Sequence, residues 1–245
     1  MRLINRVAAT CILLLASAAY AERVGINFTS TESDKSTLKA DDKAGIDHTS
    51  QKHWNNLTVD GDDPNGHQNT GRKAVIKDSL GKDVKSMSVS VKATEHTQVF
   101  PSIGADWGFK EGNLTLVSGH VAPQPSITIS GIPYKRYDVY VYLAAGAQAG
   151  VGSVTISLGK NAKGDLDKNT TYFYSVKWND GAFAEAEALT LDDANNGGAA
   201  NVVRFKGNTA SAIVLDVDGK LGGGWSGVAA VQIVELADPK PEKKK

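Results

Sequence analysis

Two tryptophan–amide pairs and one acidic turn carry the side chains best suited to chemistry. Trp54 is followed directly by Asn55 and Asn56, and Trp178 by Asn179 and Asp180. An indole face can stack on a sugar ring, and neighbouring amides and carboxylates can bond its hydroxyls, so loop residues of this kind suit recognition. Trp107, between Asp106 and Gly108, and Trp225, after three glycines, also lie near polar or glycine-rich turns. The same residues suit a second role, in which each ring caps one end of a core and its N–H bonds a carbonyl. The ligand-binding set expected from the sequence is Trp54, Asn55, Asn56, Trp178, Asn179 and Asp180.

The turn Asp60-Gly-Asp-Asp-Pro-Asn-Gly66 concentrates oxygen ligands. Hard cations favour such oxygens on flexible loops, so Asp60, Asp62, Asp63 and Asn65 are candidate calcium ligands. Pro64 and the lack of a glutamate at the twelfth position exclude an EF-hand loop, and an Asp/Asn/Gly turn also forms without metal. His48, His53 and His67 share this polar region, but their spacing matches no tight transition-metal motif. Apart from a candidate structural calcium, no cofactor is expected.

Catalytic patterns are missing. There is no Gly-x-Ser-x-Gly elbow and no His-Glu-x-x-His, and the acidic residues collect in loop-like stretches such as 41–42, 60–63 and 192–193. Acid–base hydrolysis needs two positioned carboxylates or an activated nucleophile. The expectation is a non-enzyme, with a glycan-acting hydrolase as the weakest alternative.

Composition narrows the class further. The chain has 27 basic and 27 acidic residues, which argues against a nucleic-acid surface. Arg2 and Arg6, an apolar stretch over 7–19 and Ala19-Tyr20-Ala21 form a secretory signal peptide with cleavage expected after Ala21. Its apolar run is too short to span a bilayer comfortably. Cys11, the single cysteine, would leave with it, so the mature protein would hold no disulfide and no thiolate site. An exported location is therefore expected: periplasm, cell surface or medium. Sequons occur at Asn27, Asn56, Asn113 and Asn169, and the strand-like run around Asn27 argues against glycosylation there.

The elements that must position these residues are strands. Stretches 86–92, 126–130, 137–143, 154–158, 172–176, 202–205, 212–217 and 228–234 are short, β-branched or aromatic, and bounded by Gly, Asn, Asp or Pro. In 137–143, Val139, Val141 and Leu143 fall on one face and Tyr140 and Tyr142 on the other. With Tyr134, Tyr137, Tyr172 and Tyr174 they could form an exposed aromatic face. No amphipathic helix intervenes, so the pattern reads as a sandwich or barrel. Stretch 182–191 mixes helix-friendly composition with strand-like alternation and is read as strand. The polar stretch 29–71 reads as a long surface excursion, and 237–245 as a charged, disordered tail. The expected organisation is a leader over 1–21 and one all-β domain over 22–236.

Taken in order, Val24-Gly-Ile-Asn-Phe28, His53-Trp-Asn-Asn-Leu57, Asp78-Ser-Leu-Gly81, Ile127-Thr-Ile-Ser-Gly-Ile-Pro133 with 137–142, Asn201-Val-Val-Arg-Phe205 and 227–234 carry a family likeness. The chain resembles a group of secreted bacterial β-sandwich domains of planctomycete and verrucomicrobium type. These look like galactose-binding-like jelly rolls, the architecture of many carbohydrate-binding modules. The likeness covers most of 23–236 and implies a two-sheet antiparallel jelly-roll sandwich and export. It brings no site residues with it. Members of the group often end in a sorting segment with an apolar helix. Here a charged tail follows Val234, so release or retention by a partner is expected. The function expected is a secreted binding module for a polysaccharide or envelope glycan. The alternative is a structural or adhesive envelope protein bound to a protein partner, which would expose an apolar patch or an unpaired edge strand.

Overall fold

A computed structural model describes residues 22–30, 33–59, 69–73, 75–93, 98–99, 105–121, 124–145, 150–159, 166–176, 181–197, 200–218 and 226–237. The expected leader over 1–21, the acidic turn at 60–66 and the tail from 238 onward lie outside them.

The alternating stretches form strands that assemble into two six-stranded sheets. The first runs, in spatial order, β11 (Glu185–Ala186), β12 (Val202–Asn208), β8 (Tyr137–Ala145), β14 (Ser226–Glu235), β1 (Arg23–Thr29) and β2 (Asn55–Thr58). The second runs β10 (Leu166–Val176), β9 (Gly150–Gly159), β13 (Ala212–Asp218), β7 (Ser126–Ser130), β4 (Ser88–Ala93) and β3 (Asn69–Lys73). A small ribbon pairs β5 (Gln98–Val99) with β6 (Gly119–His120). Pairing is antiparallel except at the two edges of the first sheet, where β2 lies parallel to β1 and β11 parallel to β12. The sheets close as a sandwich over one core that includes Val139, Val141, Leu143, Val231 and Ile233 from the first sheet and Val89, Ile127, Ile129, Ile213 and Leu215 from the second. Burying each such side chain contributes roughly 1.5–3 kcal/mol, which fixes which face of every strand turns inward.

A second apolar cluster covers the outer face of the first sheet. Tyr140, Tyr142, Ala144, Ala230 and Val234 meet Leu38, Ala44 and Trp54 from the excursion. Far from being a solvated loop, residues 33–59 fold back through two short 3-10 turns and add β2 to the sheet. The exposed tyrosine face is therefore corrected. Tyr140 and Tyr142 point outward as alternation requires, but both are buried, as are Tyr134, Tyr137 and Tyr174. A polar network pins this cover in place. The Gln232 Oε1 accepts from the Tyr142 hydroxyl at 2.7 Å and the Thr49 hydroxyl at 3.0 Å, and its amide donates to the Thr49 carbonyl at 2.7 Å. With every group satisfied, such a network specifies one docked position.

Two helices depart from the sequence expectation. Glu111–Ser118 is helical, in a stretch that carries no element in the sequence reading. Gly112 lets the helix press on the excursion, where an added Cβ would sit 2.3 Å from the Lys43 carbonyl oxygen. The stretch read as strand over 182–191 forms only the two residues of β11 and a bridge from Ala188 to Phe173. A short helix, Leu191–Asn196, then starts at Thr190, whose hydroxyl accepts from the Asp193 amide at 3.1 Å. Thr190 ahead of two aspartates is an N-cap signal that favours this ending.

His120 in β6 is fully buried, and that burial pulls its pKa down to about 4. The fold therefore favours the neutral ring, while the unfolded chain takes up a proton near pH 6.5. Its contribution is present above that value and is lost as pH falls from 6.5 towards 4, by up to about 3 kcal/mol. The urea midpoint is expected to drop between pH 7.5 and pH 4.5, and His120→Gln should show a distinctly smaller drop. Equal drops would remove His120 as the cause.

Candidate functional site: clefts along one side of the sandwich

The two sides of the sandwich close differently. On one side β2 and β3 touch: an added Cβ on Gly71 would lie 2.6 Å from the Thr58 carbonyl oxygen, and the Lys73 ammonium donates to the Asn56 carbonyl at 2.9 Å. Partial burial holds the Lys73 pKa below its ordinary value. On the other side the strip 184–188, which contains the edge strand β11, joins β12 to β10, the edge strand of the second sheet. The Asn201 Oδ1 accepts from the Ala184 amide at 2.7 Å, the Ala184 carbonyl accepts from the Val202 amide at 3.0 Å, and the Phe173 amide donates to the Ala188 carbonyl at 3.0 Å.

A cleft opens on each flank of that strip. One, of about 260 Å³, is lined by Tyr172, Glu185, Glu187, Leu189, Arg204 and Lys206. The other, of about 360 Å³, lies beside the helix Leu191–Asn196 and is lined by Phe173, Ser175, Glu185, Glu187 and Asp193 among others. Tyr172 is half-buried, with its ring edge-on to Phe205 at 5.4 Å between centroids. Leu189 at the rim is 62% exposed.

Arg204 organises the charge here. Its Nε and Nη2 donate to Asp138 Oδ2 at 2.9 and 2.7 Å, and its Nη1 reaches Glu185 Oε1 at 3.5 Å. The guanidinium carbon lies 5.1 Å from the centre of the Tyr140 ring. Burial works against the charge on Arg204, but its hydrogen bonds to Asp138 and the charges of Asp138 and Glu185 outweigh it and raise its pKa. Burial likewise pushes the Tyr140 phenol up to about 12. On the excursion side, His48 Nε2 lies 3.2 Å from the Tyr140 hydroxyl and 3.6 Å from Glu185 Oε1. The site thus offers one aromatic ring, two carboxylates, a guanidinium and an amine around a concave surface. That set can stack on one face of a ligand and bond its polar edge.

The residues expected from the sequence fall elsewhere. Trp54 is 6% exposed, and its N–H is shared between the Gln51 and Ala44 carbonyls at 3.1 and 3.3 Å. Asn55 is buried, its amide donating to Gly25 and Lys77 carbonyls and its oxygen accepting from the Lys77 amide. Asn56 bonds Leu38 through both ends of its side chain and also accepts from Asn27. The stacking role expected of Trp54, Asn55 and Asn56 is thereby corrected: they hold the excursion to the sheet. Trp107 is also buried in the core. Trp178, Asn179 and Asp180 lie outside the described residues, as do the candidate calcium ligands Asp60, Asp62, Asp63 and Asn65. Among the described residues no group of three or more His, Asp or Glu side chains is placed to hold a metal ion, and no helix is long and apolar enough to cross a membrane.

Glu185, Glu187, Arg204 and Lys206 carry no expectation from the sequence, and Tyr172 enters there only as one member of the aromatic face. Their one local signal is Arg204, a charge set directly between the apolar Val203 and Phe205.

Compared with known proteins, the chain matches no family model, no curated protein and no solved structure. The fold and the clefts together define a class: an antiparallel-rich, two-sheet β-sandwich, covered on one outer face and indented along one side.

Proposed function

We propose that this chain is an exported, non-catalytic binding module of jelly-roll, galactose-binding-like type, and that it takes a carbohydrate or envelope glycan at the Tyr172 cleft. The observation that carries the reading is the half-buried Tyr172 ring beside Glu185, Glu187, Arg204 and Lys206. Flat apolar contact with planar and charged hydrogen-bonding groups around it suits a ring bearing hydroxyls. The export signal over 1–21 and the family likeness support the same setting. Asp60, Asp62, Asp63 and Asn65 are proposed to take calcium as a structural ion.

The test is retention of the purified protein on insoluble and soluble polysaccharides, with calcium and with chelator. Binding is expected to at least one polysaccharide, with Tyr172→Ala weakening it about ten-fold, the worth of one well-packed aromatic contact. Loss of melting temperature in chelator, reversed by calcium, is expected if the acidic turn binds the ion. Failure to bind any polysaccharide under either condition overturns the glycan reading. The envelope protein with a protein partner then takes its place, a reading favoured by Leu189, which stands 62% exposed at the rim.

A further inference from the structure

The two clefts share a wall. Glu185, Ala186 and Glu187 line both, so the strip that separates them is common to the two. Each cleft also receives one ring from consecutive residues of the edge strand β10. Side chains alternate along a strand, so Tyr172 lies on the same side as the fully buried Tyr174, and Phe173 on the opposite side. Tyr172 packs against the margin of the core, while Phe173 lines the cleft beside the helix Leu191–Asn196. The backbone between them is held rigid by pairing with β9 on one edge and by the Phe173–Ala188 hydrogen bond on the other.

We infer that these clefts are two subsites of one groove, so that the protein recognises an internal stretch of a glycan chain draped over the 185–188 strip, and not a single sugar. This rests on the glycan reading above. Ligand pockets usually run from roughly 300 to 1,000 Å³. A cleft of about 260 Å³ falls below that span and one of about 360 Å³ at its small end, and only a ligand that crosses the shared wall fills both. The two subsites also differ in what they offer. The charged groups around Phe173 are all carboxylates, acceptors for hydroxyl or amine hydrogens, whereas the Tyr172 side adds the donors Arg204 and Lys206. Successive units of the chain would therefore be read by different chemistry, which gives the bound chain a direction.

The test is titration calorimetry of the intact mature chain with cello-, chito- and xylo-oligosaccharides of one to six units. In the series that binds, affinity is expected to rise about ten-fold or more between the monosaccharide and the trisaccharide, as a second aromatic contact engages. Phe173→Ala should abolish that gain, whereas Tyr172→Ala should weaken binding at every length. Phe173→Tyr and Tyr172→Phe keep the rings and should bind like the parent, which separates loss of contact from loss of fold. Binding that is independent of length, or a length gain that survives Phe173→Ala, overturns the two-subsite groove while leaving the glycan reading intact. No binding in any series overturns both.

Discussion

Replacing Trp54 by alanine is expected to destabilise the protein by about 3–5 kcal/mol, the range for removing a large buried aromatic side chain. The ring lies at the centre of the cover over the first sheet, edge-on to Tyr142 at 5.9 Å. A solvent-facing stacking residue would behave differently, since surface substitutions usually change stability by no more than about 0.5 kcal/mol. Urea unfolding of Trp54→Ala thus decides between a core role and a platform role in one measurement. The backbone beneath sharpens the test. An added Cβ on Gly25 would stand 2.4 Å from Cε3 of Trp54, too close for the ring to keep its place. Gly25→Ala alone should therefore cost about 1–3 kcal/mol through overpacking. In the Trp54→Ala background the same change has room, and its cost should fall towards zero. Additive effects of the two substitutions would show that the ring does not rest on Gly25. Limited proteolysis gives a second readout: cleavage within 33–59 should accelerate in Trp54→Ala before the sandwich itself unfolds.

Arg204→Met is the second substitution with a large expected effect, about 3–5 kcal/mol, because it strips the partner from a buried carboxylate. The Asp138 side chain is 3% exposed, and that of Arg204 is 26% exposed. Without the guanidinium, the hydrogen bond left to the Asp138 carboxylate among the described residues is that from the Gly207 amide at 2.7 Å. Adding Asp138→Asn removes the stranded charge, so the double variant should recover part of the loss. Chemical denaturation of the four proteins measures the coupling. A double variant less stable than Arg204→Met would mean that the isolated carboxylate is not the source of the penalty. The aliphatic stem of methionine keeps most of the packing over Tyr140, so the comparison isolates the charge.

Much of the sandwich was legible in the sequence because a strand repeats every two residues, and that period is local. Val139, Val141 and Leu143 face the inner core, and Tyr140 and Tyr142 face away, as their alternation requires. What alternation does not encode is whether an outward face meets water. That was decided by residues 33–59, whose Leu38, Ala44 and Trp54 come from a stretch nearly a hundred positions away. The parallel β1–β2 pair, which brings them there, rests on contacts between segments with no common periodicity.

The same limit explains the site. An asparagine beside a tryptophan can bond a sugar hydroxyl or a peptide group equally well, and its sequence neighbours do not say which. In the folded chain Asn55 and Asn56 meet backbone groups of Gly25, Lys77 and Leu38, so their bonding capacity is filled internally. Gly112 fits the helix Glu111–Ser118 against Lys43 in a contact that only the assembled fold supplies. The cleft residues come from separate stretches: Tyr172 and Phe173 on β10, Glu185 to Leu189 on the connecting strip, Asp193 on the helix Leu191–Asn196, and Arg204 and Lys206 on β12. The sequence by itself determined the strands and the faces they turn. The tertiary structure decided which faces are covered and where polar groups stay open to a ligand, because exposure depends on every segment that packs nearby and not on the residue alone.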